Sequence, residues 1–277
     1  MIAATIERAT RALAASSSPK LDAELLLAHA LGVERGRLHA LAEAPLPPAT
    51  AAEFERLLGE RIAGAPVAYL LGRREFWSLT LDVDPAVLVP RPETELLVEI
   101  AIGQLAGRLV PAVLDLGTGS GAIGLSIAAE RPDARVDLVE VSPAALAVAE
   151  RNRARLGIAN ARCLLGSWFG PVGEAQYDVI VANPPYLGAD DPHLGSPELR
   201  YEPRGALVSG PGGLESLTAI AALALRHLLR GGLLVLEHGA LQGAAVRTLL
   251  VDAGFEAVAT RLDLAGLERA TLGVRGG

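Results

Sequence analysis

The sequence predicts an α/β protein, with a doubly wound, largely parallel sheet following a small helical bundle. Three observations predict it. Short apolar runs at 112–116, 135–139, 161–165, 178–182 and 233–236 alternate with helical stretches at 93–106, 122–130, 143–156 and 214–229. Alternation of this kind builds parallel sheets. A glycine-rich turn, DLGTGSGAIG at 115–124, joins the first of these runs to the helix after it. Residues 1 to about 70 instead carry helical periodicity.

Composition sets the outer bounds. The 277 residues suffice for one large domain or two ordinary ones. With 51% hydrophobic and 21% charged residues, the chain lacks the signature of disorder. Its 25 basic and 32 acidic side chains leave a net charge of -7. That balance lacks the general positive field of proteins that grip phosphates, and it counts against a nucleic-acid partner. The single lysine, Lys20, among many arginines, alanines, leucines and glycines reads as coding bias. The lone Cys163 cannot form an internal disulfide or a cysteine metal cluster, and its apolar run suggests a buried strand position. The histidines have no metal-ligand spacing, so no metal is expected. Glu7, Arg8 and Arg11 interrupt the segment where a signal peptide would be apolar. No apolar stretch approaches the ~18 residues of a membrane helix. A soluble, cytoplasmic protein is expected.

The elements follow in order. Ser18 and Pro19 open a helix, with a hydroxyl cap and a proline at the first helical position. Leu21, Leu25, Ala28 and Leu31 give its apolar face and Gly32 its stop. Pro45, Pro47 and Pro48 form a connection to a second helix carrying Phe54, Leu57, Leu58 and Ile62, which Gly64 and Pro66 end. Leu79, Leu81 and Val83 alternate as a strand, and Asp84-Pro85 signals a turn. Residues 87–89 are expected to return as the partner strand. The predicted division is a helical domain over 1–70, a hairpin linker over 71–91 and the larger domain over 92–277. Residues 255–260 and 269–274 should form an antiparallel hairpin at one end of the sheet. Arg151, Arg153, Arg155 and Arg162 read as the solvated face of a helix and a loop.

Two motifs carry chemistry. Gly117, Gly119 and Gly121 allow a tight turn and close approach of a ligand, and the helix after them offers its N-terminal amides. Residues 119–124 match G-x-G-x-x-G, so a dinucleotide is one candidate. Asp115 precedes the turn, and Glu140 ends the next strand. An acid at that point can accept from both ribose hydroxyls, in nicotinamide and S-adenosylmethionine enzymes alike. It can also brace the helix that starts at Ser142-Pro143. The second motif is Asn183-Pro184-Pro185-Tyr186, which follows an apolar strand. The prolines lack N–H groups and fix φ, so the segment presents acceptors. The Asn183 side chain adds another. Two acceptors suit a planar NH2 group, such as a glutamine amide or the amino group of adenine. Its lone pair is delocalised, and holding both hydrogens aims it at a methyl donor. Positioning of that kind supplies rate. Tyr186 would wall the planar group.

These residues together resemble the class I S-adenosylmethionine-dependent methyltransferases. More closely, the chain resembles the HemK/PrmC family of release-factor glutamine N5-methyltransferases. The resemblance spans nearly the whole chain. It rests on GAPVAYLLG at 64–72, Glu75-Phe76, VPRPETELL at 89–97, the glycine turn, the Asn-Pro-Pro-Tyr segment, YEPRGAL at 201–207 and GPGGL at 210–214. It implies a Rossmann-like seven-stranded sheet, with S-adenosylmethionine as donor and S-adenosylhomocysteine as product. The implied substrate is the glutamine of the Gly-Gly-Gln loop of bacterial class I peptide release factors. A monomer is expected, with no direct nucleic-acid contact and no membrane.

By the same resemblance, Asn183, Pro184, Pro185 and Tyr186 hold the glutamine amide, with Asn183, Pro184 and Tyr186 catalytic. Asp115, Gly117, Thr118, Gly119, Ser120, Gly121, Glu140, Trp168 and Asn183 surround the donor, and Trp168 packs on adenine. The family often has aspartate where Glu140 stands. Arg91, Glu93 and Glu95 could line the entry, brace the linker or complement a helix start. Competing readings are a ribosomal-protein glutamine methyltransferase, an adenine N6-methyltransferase, a nicotinamide oxidoreductase and a catalytically silent binding module.

Overall fold

The computed structural model describes all 277 residues. They divide into two compact units, residues 1–73 with 195–201, and residues 74–194 with 202–277.

The first unit is helical. It holds α1 (Ile2–Ala12), α2 (Pro19–Leu31), α3 (Pro48–Ile62) and α4 (Val67–Leu71). Its core joins Ile2, Ala9 and Leu13 of the N-terminal segment to Leu26 and Leu27 of α2 and Phe54, Leu57 and Leu58 of α3. Gly32 stops α2 in the left-handed conformation, at φ +65°.

Two local expectations fail here. The Ser18 hydroxyl does not cap α2. It donates to Asp22 Oδ1 at 2.9 Å, because a carboxylate one turn away is a stronger partner than a backbone amide. The apolar face of α2 is also rotated, and that of α3 holds at Phe54, Leu57 and Leu58 but not at its edge. Leu21 and Ile62 are exposed, while Ala23, Leu26 and Leu27 of α2 and Arg61 of α3 point inward. α2 is apolar around much of its circumference, so periodicity alone left its phase open. In α3 the inward arginine meets a buried acid. Arg61 Nε lies 2.8 Å from Asp22 Oδ2, with both side chains 6% exposed. Arg61 also donates to Ser16 Oγ, the Ala65 carbonyl and Glu198 Oε1, which ties residues 195–201 to the helices.

A hairpin of β1 (Arg73–Phe76) and β2 (Leu79–Asp82) comes next. The strand carrying Leu79 and Leu81 thus pairs backward, through a turn at Trp77 and Ser78, and residues 87–89 form no strand. Their donors are engaged elsewhere. Asp84 Oδ1 accepts from Ala86 N and the Asp84 carbonyl from Val87 N, and Val89 N donates to Glu202 Oε2.

The second unit continues with α5 (Glu95–Gln104), β3 (Ala112–Leu116), α6 (Ala122–Glu130), β4 (Arg135–Glu140), α7 (Pro143–Arg155), β5 (Ala161–Leu165) and β6 (Tyr177–Ala182). After β7 (Leu187–Gly188), α8 (Arg204–Leu207) and β8 (Val208–Gly210) come α9 (Glu215–His227), β9 (Leu228–Glu237), α10 (Gly243–Asp252), β10 (Glu256–Leu262) and β11 (Glu268–Val274). The seven-stranded sheet runs β10-β11-β9-β6-β3-β4-β5. It is parallel from β9 to β5, with β11 antiparallel to β9 and β10 antiparallel to β11, as the sequence predicts. β9 starts at Leu228, upstream of its apolar run, across Gly231 and Gly232 that hide the strand pattern.

Side chains alternate between the two faces of the sheet. Val113, Val179, Val181 and Val235 meet Leu97, Val98 and Ala101 of α5 and Leu125 and Ile127 of α6. Leu114, Ile180, Leu234 and Leu236 meet α9 and α10 through Leu217, Ile220, Val246 and Leu250. Both faces are covered, which explains why the central strands read as unbroken apolar runs. Cys163 is half-buried rather than buried. Arg151, Arg155 and Arg162 pair with Asp84, Asp82 and Asp137, so the arginine-rich face is largely neutralised. No helix is long and apolar enough to cross a membrane.

The Asp22–Arg61 pair sets a test of the helical unit. Arg61→Leu strands a buried carboxylate and is expected to destabilise by about 3–5 kcal/mol. Arg8→Ala, which breaks the exposed pair with Glu55, should change stability by less than about 1 kcal/mol. Urea unfolding of both variants followed by circular dichroism checks the contrast.

Candidate active site

Strand register assembles the site. Leu116 of β3 pairs with Val139 of β4 and with Ala182 of β6, and Ala182 pairs with Leu236 of β9. One residue further along, Glu140, Gly117, Asn183 and Glu237 leave the four strands side by side. This is the C-terminal edge of a parallel sheet, where α/β folds bind ligands. A cavity of about 480 Å³ opens there, a size that suits a small molecule.

The glycine turn forms one wall, with residues 117–120 lining the cavity. Gly117 and Gly119 adopt φ of +71° and +57°. A Cβ on Gly117 would sit 3.7 Å from the Trp168 ring across the cavity. Gly124 serves packing, since a Cβ there would come within 2.9 Å of both Leu138 Cγ and Asp115 Oδ2. Four amides of the turn are engaged inside the protein. Gly117 and Thr118 both donate to the Val139 carbonyl, Gly121 to the Thr118 carbonyl, and Gly119 to Glu140 Oε2. They do not form the anion cradle that a dinucleotide pyrophosphate takes. The G-x-G-x-x-G match is a packing pattern here.

Glu140 braces the start of α7, as one of its two sequence readings expects. It is 8% exposed, lines the cavity and accepts from Ser142 N at 2.9 Å, at the start of α7. Its oxygens accept one backbone N–H each. A carboxylate has about four acceptor sites, so two remain for a pair of hydroxyls.

Asp115 stands behind the turn, fully buried. Its Oδ2 accepts from Thr118 Oγ1 at 2.5 Å and Gly124 N at 2.9 Å, and Oδ1 has no partner. Burial pushes its carboxyl up to about 6.

Asn183 and Pro185 line the cavity opposite Glu140. Asn183 Nδ2 donates to Thr94 Oγ1 at 3.3 Å, which leaves Oδ1 as the acceptor it offers. Pro184 is buried behind them, and Tyr186 packs against the α9 face of the sheet. The Tyr186 carbonyl accepts from Gln242 Nε2 at 2.9 Å. Burial pushes its hydroxyl up to about 12, so the phenol stays protonated. The cavity thus gathers the glycine turn, Glu140, Trp168, Asn183 and Pro185, while Asp115, Gly121, Pro184 and Tyr186 lie outside its lining.

Comparisons with known proteins bear on this site. Residues 4–72 match the family model of the PrmC N-terminal domain, and residues 93–194 that of the methyltransferase small domain. A release factor glutamine methyltransferase of Burkholderia pseudomallei is 51% identical, covering 96% of this chain and 95% of its own length. One of Bordetella pertussis is 49% identical, covering 93% and 95%. This chain belongs to the release factor glutamine methyltransferase family. The Thermus thermophilus 16S rRNA N2 G1207 methyltransferase, solved with AdoMet and guanosine, shares the fold at 23% identity. It covers 73% of this chain and 49% of its own, with a TM-score of 0.55.

In this release factor glutamine methyltransferase family member, three polar residues matter that motif reading passed over. Glu202 is buried, accepts from Val89 N and pairs with Arg91, which lines the cavity. Thr94 lines the cavity and holds Asn183. Glu237 is 2% exposed beside Asn183, its Oε2 has no partner, and burial pushes its carboxyl up to about 7. A single acid directly after the apolar run 233–236 was the available signal for Glu237. Thr94 falls within the VPRPETELL segment. Glu95 accepts from Trp77 N and so braces the hairpin turn, and Glu93 is exposed.

Asp115 gives a pH test. Its carboxyl titrates near 6 when folded and near an ordinary ~4 when unfolded. Below pH ~4 both states hold the proton, and above it the unfolded chain releases the proton first. The group's stabilisation is therefore full at low pH and is lost as pH rises through about 6, by roughly 3 kcal/mol. Asp115→Asn should remove that slope, as urea unfolding across this pH range will show.

Proposed function

We propose that this enzyme methylates the side-chain amide nitrogen (N5) of the glutamine in the Gly-Gly-Gln motif of bacterial class I peptide release factors, with S-adenosylmethionine as donor. The observation that carries the reading is the Asn183 amide. Its Nδ2 is tied to Thr94, and its oxygen is left for a cavity that also holds the glycine turn and Glu140. The relatives named release factor glutamine methyltransferases, about half identical over nearly the whole chain, support the substrate.

The residues fit the donor. Glu140 keeps acceptor sites for ribose hydroxyls, Trp168 offers a ring for adenine, and the glycine turn leaves room between them. S-adenosylmethionine supplies an electrophilic sulfonium methyl group when bound. Asn183 Oδ1, with carbonyl groups of the Pro184-Pro185 segment, accepts the two N–H groups of the glutamine amide. That grip turns the amide nitrogen toward the methyl group and opposes delocalisation of its lone pair. As the N–C bond forms, the bond from the methyl carbon to the donor's sulfur would break and leave the neutral thioether S-adenosylhomocysteine, and the nitrogen would give one proton to water, so the amide ends neutral. Tyr186 remains a phenol and serves as no base. None is required, because the proton becomes strongly acidic once the N–C bond forms.

The helical segment 1–70 is assigned to recognition of the release factor. Residues 71–91 act as its linker and 92–277 as the methyltransferase domain. The enzyme works as a monomer in the cytoplasm.

Purified release factor, ribosomal protein and RNA, each incubated with labelled donor, test the substrate. Label should map to the Gly-Gly-Gln peptide, and label found only in ribosomal protein or RNA would overturn the reading. Asn183→Ala should lower the single-turnover rate about 10²-fold with donor affinity nearly unchanged. Glu140→Ala should instead weaken donor binding about ten- to hundred-fold, the worth of hydrogen bonds to a charged acceptor. Calorimetry and single-turnover rates separate the two, and the reverse pattern would show the roles to be exchanged.

A further inference from the structure

We infer that Gln242 is a positioning residue for methyl transfer, which holds the far end of the Asn183–Tyr186 segment in place through the Tyr186 carbonyl. The inference rests on the methyl-transfer reading above and adds to it a side chain outside the cavity lining.

The segment needs such a hold. Asn183 follows β6 at one end, and its side chain is tied to Thr94. Pro184 and Pro185 have no N–H, so the chain offers no backbone donor until Tyr186. Pairing resumes at β7, where Leu187 and Gly188 meet Val208 and Gly210 of β8. Those strands are only two and three residues long, and so small a ladder is weakly held on its own.

Gln242 supplies the hold. Its Nε2 donates to the Tyr186 carbonyl at 2.9 Å and to the Gly213 carbonyl at 3.3 Å, while its Oε1 accepts from Gly239 N at 2.8 Å. All three partners are backbone groups with one fixed role each. A flipped amide would set donor against donor and acceptor against acceptor, which leaves one orientation. Gln242 is itself anchored where β9 gives way to α10. Gln242 N donates to the Gly239 carbonyl at 2.9 Å, so these two residues close a reciprocal turn, and Val246 N donates to the Gln242 carbonyl.

Gly213 completes the clamp. The 210–214 turn passes so close that a Cβ on Gly213 would lie 2.7 Å from the Tyr186 carbonyl oxygen and 3.0 Å from Gly188 N. Its φ of +77° is left-handed, a conformation that suits glycine. The Tyr186 carbonyl is thus held between the Gln242 amide and this turn.

The Pro184 and Pro185 carbonyls lie just upstream of that anchor, and the reading above has this stretch accept an N–H of the glutamine amide. A shift of about 1 Å at a reacting group can cost about 10²-fold in rate. The groups assigned to the donor, the glycine turn, Glu140 and Trp168, make no hydrogen bond to Gln242. Losing Gln242 therefore slows transfer and spares the donor. Gln242→Glu separates this role from simple bracing of the turn after β9. The carboxylate keeps the length and still accepts from Gly239 N, but it has no N–H for Tyr186 and Gly213.

The test uses the full chain with purified release factor and labelled S-adenosylmethionine. Single-turnover rate, KM for the release factor, donor affinity by calorimetry and thermal melting are measured together. Gln242→Glu and Gln242→Met should each slow transfer about 10²-fold, with KM and donor affinity within about threefold of wild type. Gly213→Ala, which crowds the same carbonyl, should slow it at least about tenfold. A near-wild-type rate in any of the three overturns the inference, as does a loss of donor affinity as large as the loss of rate. Should Gln242→Glu not fold, the other two variants decide by the same rates. Asn183→Ala distinguishes the two levels. A slow Asn183→Ala with a normal Gln242→Glu removes only the role of Gln242, whereas a normal Asn183→Ala removes the site reading and the clamp with it.

Discussion

The register of the central strands is the constraint on which the site depends. Val139, Leu116, Ala182 and Leu236 form one row across β4, β3, β6 and β9. A slip of one residue would send every side chain of a strand to the opposite face. Here both faces are apolar and covered by helices, so each strand is locked by burial on either side. The residue after that row falls at the open edge of the sheet on every strand. An acid, a glycine, an asparagine and a second acid thereby become neighbours, although they lie far apart in sequence. Adjacent strands are ~4.8 Å apart, so the backbones of Glu140 and Asn183 stand about 10 Å apart with the glycine turn between them. Glycine suits that midpoint, with φ of +71° at Gly117 and a Cβ there standing 3.7 Å from the Trp168 ring.

The buried acids divide into two kinds. Asp22 has both oxygens occupied, by Ser18 on one and by Ser16 and Arg61 on the other. Glu202 likewise accepts from Val89 N and pairs with Arg91. Those acids hold loops and helices in place, and their full partnering is what makes burial of a charge tolerable. Asp115 and Glu237 differ, since each keeps one oxygen without a partner and each has its carboxyl raised by burial. Both stand at or near the C-terminal edge of the sheet. The contrast separates acids that stabilise from acids whose cost must be met by something other than stability.

What the sequence revealed follows from how local each signal is. The glycine turn and the Asn-Pro-Pro-Tyr segment are punctuation marks, in which glycine and proline betray backbone geometry without tertiary context. Glu140 was readable because it ends a clear apolar strand. The hairpin partner of β2 was misjudged because residues 87–89 look like a strand, and only the distant Glu202 takes the Val89 amide that a strand would have used. In α3 the apolar face holds at Phe54, Leu57 and Leu58, and only its edge differs, with Arg61 drawn in by Asp22 on another helix while Ile62 faces out. The places of Thr94 and Glu237 beside Asn183 lie beyond local reading, although Thr94 falls in the VPRPETELL segment and Glu237 ends an apolar run. Each is an ordinary residue in its own segment, and only sheet register together with the turn before α5 brings them to Asn183.

The hydrogen bonds of the glycine turn also sharpen what the cavity selects. With the amides of Gly117, Thr118, Gly119 and Gly121 engaged internally, that wall is short of donors. Glu140 and Asn183 Oδ1 offer acceptors instead, and the one cationic side chain on the lining named here, Arg91, is matched by Glu202. An acceptor-rich cavity favours ligands that bring hydroxyls, NH2 groups and positive charge. A sulfonium nucleoside and a side-chain amide satisfy that demand together. The net charge of -7 acts in the same direction, drawing a cationic donor inward and opposing polyphosphates. The overall acidity and the local hydrogen-bond pattern therefore select the same pair of ligands by separate physical routes, one through long-range field and one through direct pairing.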